Sequence, residues 1–159
     1  MVIRVVCVGR LKERFYEEAV KEFIKRLSRY ARVEIVEVND EKAPEALSDA
    51  LRERVKLEEG RRILAKLDKN DFAVALALEG KQLSSLALAD TLQGLMNEGK
   101  SSFAFIIGGS LGLSGEVLSR ADYLLSFGKL TFSHQLFRVM LLEQLYRAFK
   151  IMSGEPYHK

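Results

Sequence analysis

Three short stretches combine glycine with the ends of apolar runs. They are Glu79-Gly80, Gly108-Gly109-Ser110-Leu111-Gly112 and Phe127-Gly128. Glycine in such a place lets the main chain approach a ligand closely or adopt positive φ. If the runs are strands of one open α/β sheet, the three turns share its carboxyl rim, where ligands of such sheets bind. The chemistry is then small-molecule binding by backbone. The plainer reading is ordinary turn chemistry at strand ends. Neither G-x-G-x-x-G nor G-x-x-x-x-G-K-[ST] occurs, which argues against dinucleotides and nucleoside triphosphates and leaves open an adenosine ligand without phosphates.

Gly108-Gly-Ser-Leu-Gly112 also spells G-x-S-x-G, and Asp122 and His134 follow in the order of a hydrolase triad. A nucleophile elbow needs a helix directly after the turn, and Leu113-Ser-Gly115 delays one. The hydrolase reading, with Ser110 as nucleophile, is therefore a minor alternative. His134 and His158 are the only histidines. With no carboxylate pattern nearby they make no metal site. His134 falls at the start of a helix beside the expected pocket, where capping or packing is the usual role. Tyr157-His158-Lys159 is either a frayed tail or a group that stacks on a base and holds a phosphate. Arg10, Lys12 and Arg14 lie just beyond the first apolar run. Cations in a first helical turn oppose its dipole, so they mildly favour a functional patch.

These residues need elements to position them. Val2–Val8 reads as a buried strand. Leu11, Phe15, Ala19, Phe23, Leu27 and Tyr30 recur at helical spacing, so residues 12–30 form an amphipathic helix. Arg32–Val38 alternates as an edge strand. Asn39–Leu47, with Pro44, is a loop, and Ser48 caps a charged helix to Leu67. Phe72–Leu78 is a strand ending at Glu79-Gly80. Leu83–Met96 is a helix with Gly99 just past its end. Phe103–Ile107 and Tyr123–Ser126 are further strands, and Ser133–Met152 is the last helix. This alternation predicts an α/β fold with a mainly parallel sheet and helices on both faces, in one domain over residues 1–159.

The last helix is apolar nearly all round, from Val139-Met-Leu-Leu142 to Ile151-Met152. Such a helix must be buried nearly all round, and a homodimer interface at Leu142 is the economical answer. The chain of 159 residues is 48% apolar and 30% charged, which excludes a disordered or collagen-like protein. No apolar run reaches the roughly 20 residues of a membrane span, and Met1-Val-Ile-Arg4 has no signal-peptide layout. A single cysteine, Cys7, allows no internal disulfide and fits a cytoplasmic protein. The net charge of +3 lies wholly in residues 120–159; a basic end attracts polyanions, although solvated surface charge is the plainer account.

Phe105-Ile-Ile-Gly-Gly-Ser-Leu-Gly-Leu113, Leu125-Ser-Phe-Gly-Lys-Leu-Thr-Phe-Ser-His-Gln135, Arg138, Tyr146-Arg-Ala-Phe-Lys-Ile151 and the Pro-Tyr-His-Lys159 end together resemble one family. It is the small bacterial 23S ribosomal RNA (pseudouridine-N3) methyltransferases of the SPOUT class. Val8-Gly-Arg-Leu-Lys12 and Ile63-Leu-Ala-Lys66 also fit, so the resemblance covers essentially the whole chain. It implies a C-terminal trefoil knot, S-adenosylmethionine bound in that knot, a homodimer, and 23S rRNA within the ribosome as substrate, with no metal. By similarity Leu76, Gly108, Phe127, Gly128, Lys129, Leu130, Thr131 and Phe132 are the cofactor positions. Gly128 stands where the family more often has a small polar residue. The expected catalytic residues are His158, for positioning or proton removal, and Tyr157, for stacking. Arg10, Lys12, Lys129, Arg138 and Lys159 are the expected RNA contacts. A non-catalytic RNA-binding domain on the same fold is the main alternative.

Overall fold

A computed structural model describes residues 1–42 and 46–158; Pro44 and Lys159 lie outside the described residues. The elements are β1 (Val2–Val8), α1 (Arg14–Leu27), β2 (Arg32–Val38), α2 (Asp49–Leu64), β3 (Phe72–Gln82), α3 (Ser85–Asn97), β4 (Ser102–Ile107), α4 (Gly115–Arg120), β5 (Tyr123–Ser126) and α5 (His134–Met152). The five strands form one sheet in the order β2-β1-β4-β3-β5, and every pairing is parallel. All strand ends of one polarity therefore lie on one rim.

The two faces of β1 and β4 sort the core. Ile3, Val5, Cys7, Phe103, Phe105 and Ile107 point to one side, where they pack with residues of α1, α3 and α5. Val6, Val8 and Ile106 point to the other, against Ile63 of α2 and Val117 of α4. Apolar residues on both faces are what a central parallel strand requires. Four helices start on serine. Ser48, Ser84, Ser114 and Ser133 each accept from the amide three residues on, which satisfies one orphan donor per helix.

Gly60 does not interrupt α2. A Cβ there would lie 2.3 Å from Ser114 Oγ and 3.3 Å from Val117 Cγ2, so the glycine lets α2 sit directly on the cap of α4. The sequence does not predict that short helix, because six residues are too few to show a period. Gly80 also differs from expectation. β3 does not end there but runs on to Gln82, with a break in register: Leu76 pairs with Leu125, and so does Lys81. A Cβ on Gly80 would meet the main chain of Leu124 and Leu125 at 2.7 Å. Gly80 is thus a close-approach glycine inside the sheet. Of the three glycine stretches, only those after β4 and β5 are turns at strand ends.

The last helix corrects a second expectation. Leu141, Leu142, Leu145, Ala148 and Phe149 are buried within this one chain, where α5 contacts both α1 and α3. Leu142 is fully buried and so cannot report on a dimer. Val139, Met140, Glu143 and Tyr146 are the half-exposed side.

Candidate functional site

A cavity of about 650 Å³ opens on the carboxyl rim. The middle of β3 contributes Leu76–Glu79, and the turn after β4 contributes Ile107–Leu113. The segment between β5 and α5 supplies Leu125–Gly128 and Leu130–Phe137 in part, and Lys56 reaches in from α2. Gly109 and Gly112 form an isolated antiparallel bridge that folds the β4 turn over the rim. Gly128 has φ +121° and nothing within 4 Å of a built Cβ, so main chain faces open space there. Phe127 and Phe132 both pack on Phe137, with centroids 5.0 and 5.9 Å apart. The walls are apolar and the rim is main chain. Among the described residues there is no group of His, Cys, Asp and Glu that could hold a metal ion.

Leu76, Gly108, Phe127, Gly128, Leu130, Thr131 and Phe132, drawn from distant parts of the sequence, all line this cavity, whereas Lys129 does not. His134 lines it too, half-buried at the start of α5, against Gly9. Lys56 goes beyond the sequence reading, since a lysine in a charged helix carries no signal of its orientation. The hydrolase reading fails on topology. Ser110 is on the carboxyl rim, but Asp122 precedes β5 at the opposite end of the sheet. There its carboxylate accepts the Ala73 amide at 2.8 Å and Arg120 at 3.3 Å. Cys7 is no nucleophile either, because burial pushes its thiol up to about 12.

The expected cationic end is mostly spent on the fold. Arg138 is fully buried. It donates to Glu37 Oε1 at 2.6 Å and to the Gly9 carbonyl at 2.6 Å. It therefore cannot be an RNA contact, contrary to the sequence reading. Arg120, Arg147 and Lys150 pair with Asp122, Glu143 and Glu155. By contrast, Arg10 and Lys12 are exposed, and neither makes an ion pair among the described residues. The Lys12 amide donates to Gln135 at 2.7 Å, which ties their loop to the cavity edge. Phe15, 61% exposed and 4.3 Å from the ring of Tyr16, follows at once.

Tyr157 and His158 are not brought to the cavity of their own chain. The tail folds back on α5. Tyr157 donates to Glu143 at 3.2 Å, packs edge-on to Tyr146 and lies under the Arg147 guanidinium. His158 is exposed, with Nδ1 3.4 Å from Arg147. Burial and Glu143 raise the Tyr157 phenol. Glu143 also borders a second groove of about 610 Å³ with Phe23, Val139 and Met140; this groove shares Leu125, Ser126 and Phe127 with the first cavity.

A parallel sheet carries on its carboxyl rim a cavity lined by main chain and apolar side chains, without either phosphate-binding glycine motif in the sequence. The family model described as "Predicted SPOUT methyltransferase" matches residues 1–158, and the chain belongs to that family. It is 55% identical over 159 residues to "Ribosomal RNA large subunit methyltransferase H" of Clostridioides difficile, and 56% to the protein of the same name from Carboxydothermus hydrogenoformans. Each match covers 100% of both chains. Among solved structures it resembles a methylase family protein from Haemophilus influenzae, with TM-score 0.56 and 13% identity over 99% of this chain and 70% of that one; this likeness concerns the fold.

Proposed function

We infer that the protein transfers a methyl group from S-adenosylmethionine to large-subunit ribosomal RNA in the cytoplasm, at N3 of a pseudouridine. Kinship over the full length of the rRNA methyltransferase relatives supports the substrate. The observation that carries the site is the convergence of Leu76, Gly108, Gly128 and Phe132 on one cavity. The fit to the donor follows from the lining. Leu76, Phe127 and Phe132 offer apolar surface for an adenine. Gly108 and Gly128 offer main chain, and among the described residues the lining holds no cluster of cations that would suit a phosphate. When bound, the donor supplies a sulfonium methyl, a carbon electrophile that needs no metal. The protein's part is to hold base and donor in contact, which lowers the barrier by several kcal/mol.

The reading extends to one domain with a trefoil knot at its C-terminal end. Membership of the SPOUT methyltransferase family over residues 1–158 supports it. It also includes a homodimer seated in the groove of Val139 and Met140. That groove adjoins the cavity through Leu125–Phe127, so a second copy placed there brings Tyr157 and His158 toward a neighbouring donor site.

The test is transfer of a labelled methyl group to isolated RNA, large subunits and assembled ribosomes. Loss of signal on all three would refute the reading. Two variants localise it. In Gly108→Val the added Cβ would stand 3.0 Å from the Gly112 carbonyl. Displacing the β4 turn costs about 1–3 kcal/mol, so donor affinity measured by calorimetry should fall about tenfold or more; an unchanged affinity would remove Gly108 from the site. Arg10→Ser with Lys12→Ser should weaken RNA binding. It should also reduce the slope of log affinity against log salt by about 1.4, for the removal of two single-strand phosphate contacts. Anisotropy at several salt concentrations measures this, and an unaltered slope would place the RNA elsewhere.

A further inference from the structure

We propose that His134 is the catalytic residue that receives the N3 proton of the target base during methyl transfer. The inference rests on the methyltransferase reading above. N3 of a pseudouridine carries a hydrogen. For N3 to be methylated without acquiring a charge, its N–H bond must break and the proton must go to a base. The electron pair on N3 forms the bond to the methyl carbon, and the carbon–sulfur pair returns to the sulfonium sulfur, leaving a neutral thioether. His134 keeps the proton until it passes to water.

Four observations select this residue. His134 lines the cavity just after the Phe127–Phe132 segment, so it stands at the donor site within its own chain, whereas His158 does not line that cavity and would reach a donor site only in another copy. No ring nitrogen of His134 makes a hydrogen bond among the described residues, so the imidazole is not spent on the fold. Its helix is capped by Ser133, so the histidine is not needed as the cap. Its ring rests on Gly9, where a Cβ would stand 3.3 Å from Nε2. That glycine has φ +81°, and the loop that follows it carries Arg10 and Lys12, which have no ion pair among the described residues. A base delivered by an RNA held on that loop meets His134 at the cavity mouth. The charged groups facing it are Arg138 on its own helix, Lys12 on the β1 loop and Asp40 after β2. Burial first, then Arg138 and Lys12, hold the imidazole below its ordinary value against the opposing pull of Asp40. The ring is then neutral at neutral pH and free to accept, as a general base must be.

The test uses the full-length protein with His134→Gln and His134→Ala. Methyl transfer to ribosomal particles under single-turnover conditions should fall at least about a hundredfold at neutral pH, the low end for a positioned proton acceptor. The deficit should shrink as pH rises, because N3 then loses its proton unaided; a purely structural role would give a deficit independent of pH. Donor affinity by calorimetry should stay within about threefold of wild type. A readout apart from activity is the histidine NMR spectrum of the full-length protein. The resonance missing from the variants should titrate below the ordinary histidine value. A wild-type rate in the variants, a deficit that ignores pH, collapse of donor affinity, or a His134 ring charged at neutral pH would each overturn the proposal. A wild-type protein that binds donor but methylates no ribosomal particle would instead overturn the functional reading beneath it.

Discussion

A chain ending at Pro156 should methylate ribosomal particles at least about a hundredfold more slowly than the full protein, while binding the methyl donor as before. Truncation removes the Tyr157 hydrogen bond to Glu143, its edge-on packing on Tyr146 and the Arg147 guanidinium over its ring. Each of these is half-exposed and worth about 1 kcal/mol or less, so the melting temperature should drop by less than about 10 °C. The cavity is untouched, because neither Tyr157 nor His158 lines it. A large fall in activity with donor binding intact would therefore place the tail in another copy's site. Mixing settles the direction. Tail-truncated chains combined with Gly108→Val chains should regain activity, since a mixed dimer holds one intact cavity facing one intact tail. Near-normal activity of the truncated chain would return the tail to the role of a packed but dispensable end. Failure of mixing to restore any activity would argue for action within one chain.

Arg138→Ala should cost roughly 3–5 kcal/mol, the range for removing one partner of a buried ion pair. With about 2–4 °C lost per kcal/mol in a chain of this size, melting should fall by roughly 10 °C. The physical reason is the set of acceptors left behind. The carbonyls of Gly9 and Val8 and the Glu37 carboxylate all lean on one guanidinium. Arg138→Lys should recover only part of this, since an ammonium cannot reproduce the planar fork. An RNA-contacting arginine would behave in the opposite way, with weaker RNA binding and an unchanged melting temperature. Thermal denaturation together with anisotropy distinguishes the two.

Arg138 also shows where sequence reading stops. Its charge is legible, but its burial is not, because a lone arginine on an apolar helix looks the same whether it snorkels outward or is swallowed. Glu37, its partner, is 101 residues away. The strands are legible, since apolar β-branched runs bounded by glycine are a local signal. Gly80 misleads for a related reason. A glycine that ends a strand and one that lets another strand press against it are identical in sequence, and only the register of β5 separates them. The cofactor positions come from the resemblance; the residues alone support only a backbone-lined rim. Cavity residues outside that resemblance, such as Lys56, have no pattern to reveal them. The apolar circumference of α5 is a true demand for burial, but α1, α3 and the sheet meet most of that demand within the chain.

The cavity draws its final wall from Leu125–Phe137, which lies in the last quarter of the chain. A chain emerging from a ribosome completes β1 to β4 while that wall is still being made or is hidden in the exit tunnel. Domains fold as their segments become available, so the cavity is among the last features of the fold to close. A partly made chain therefore holds most of its sheet before it holds a site.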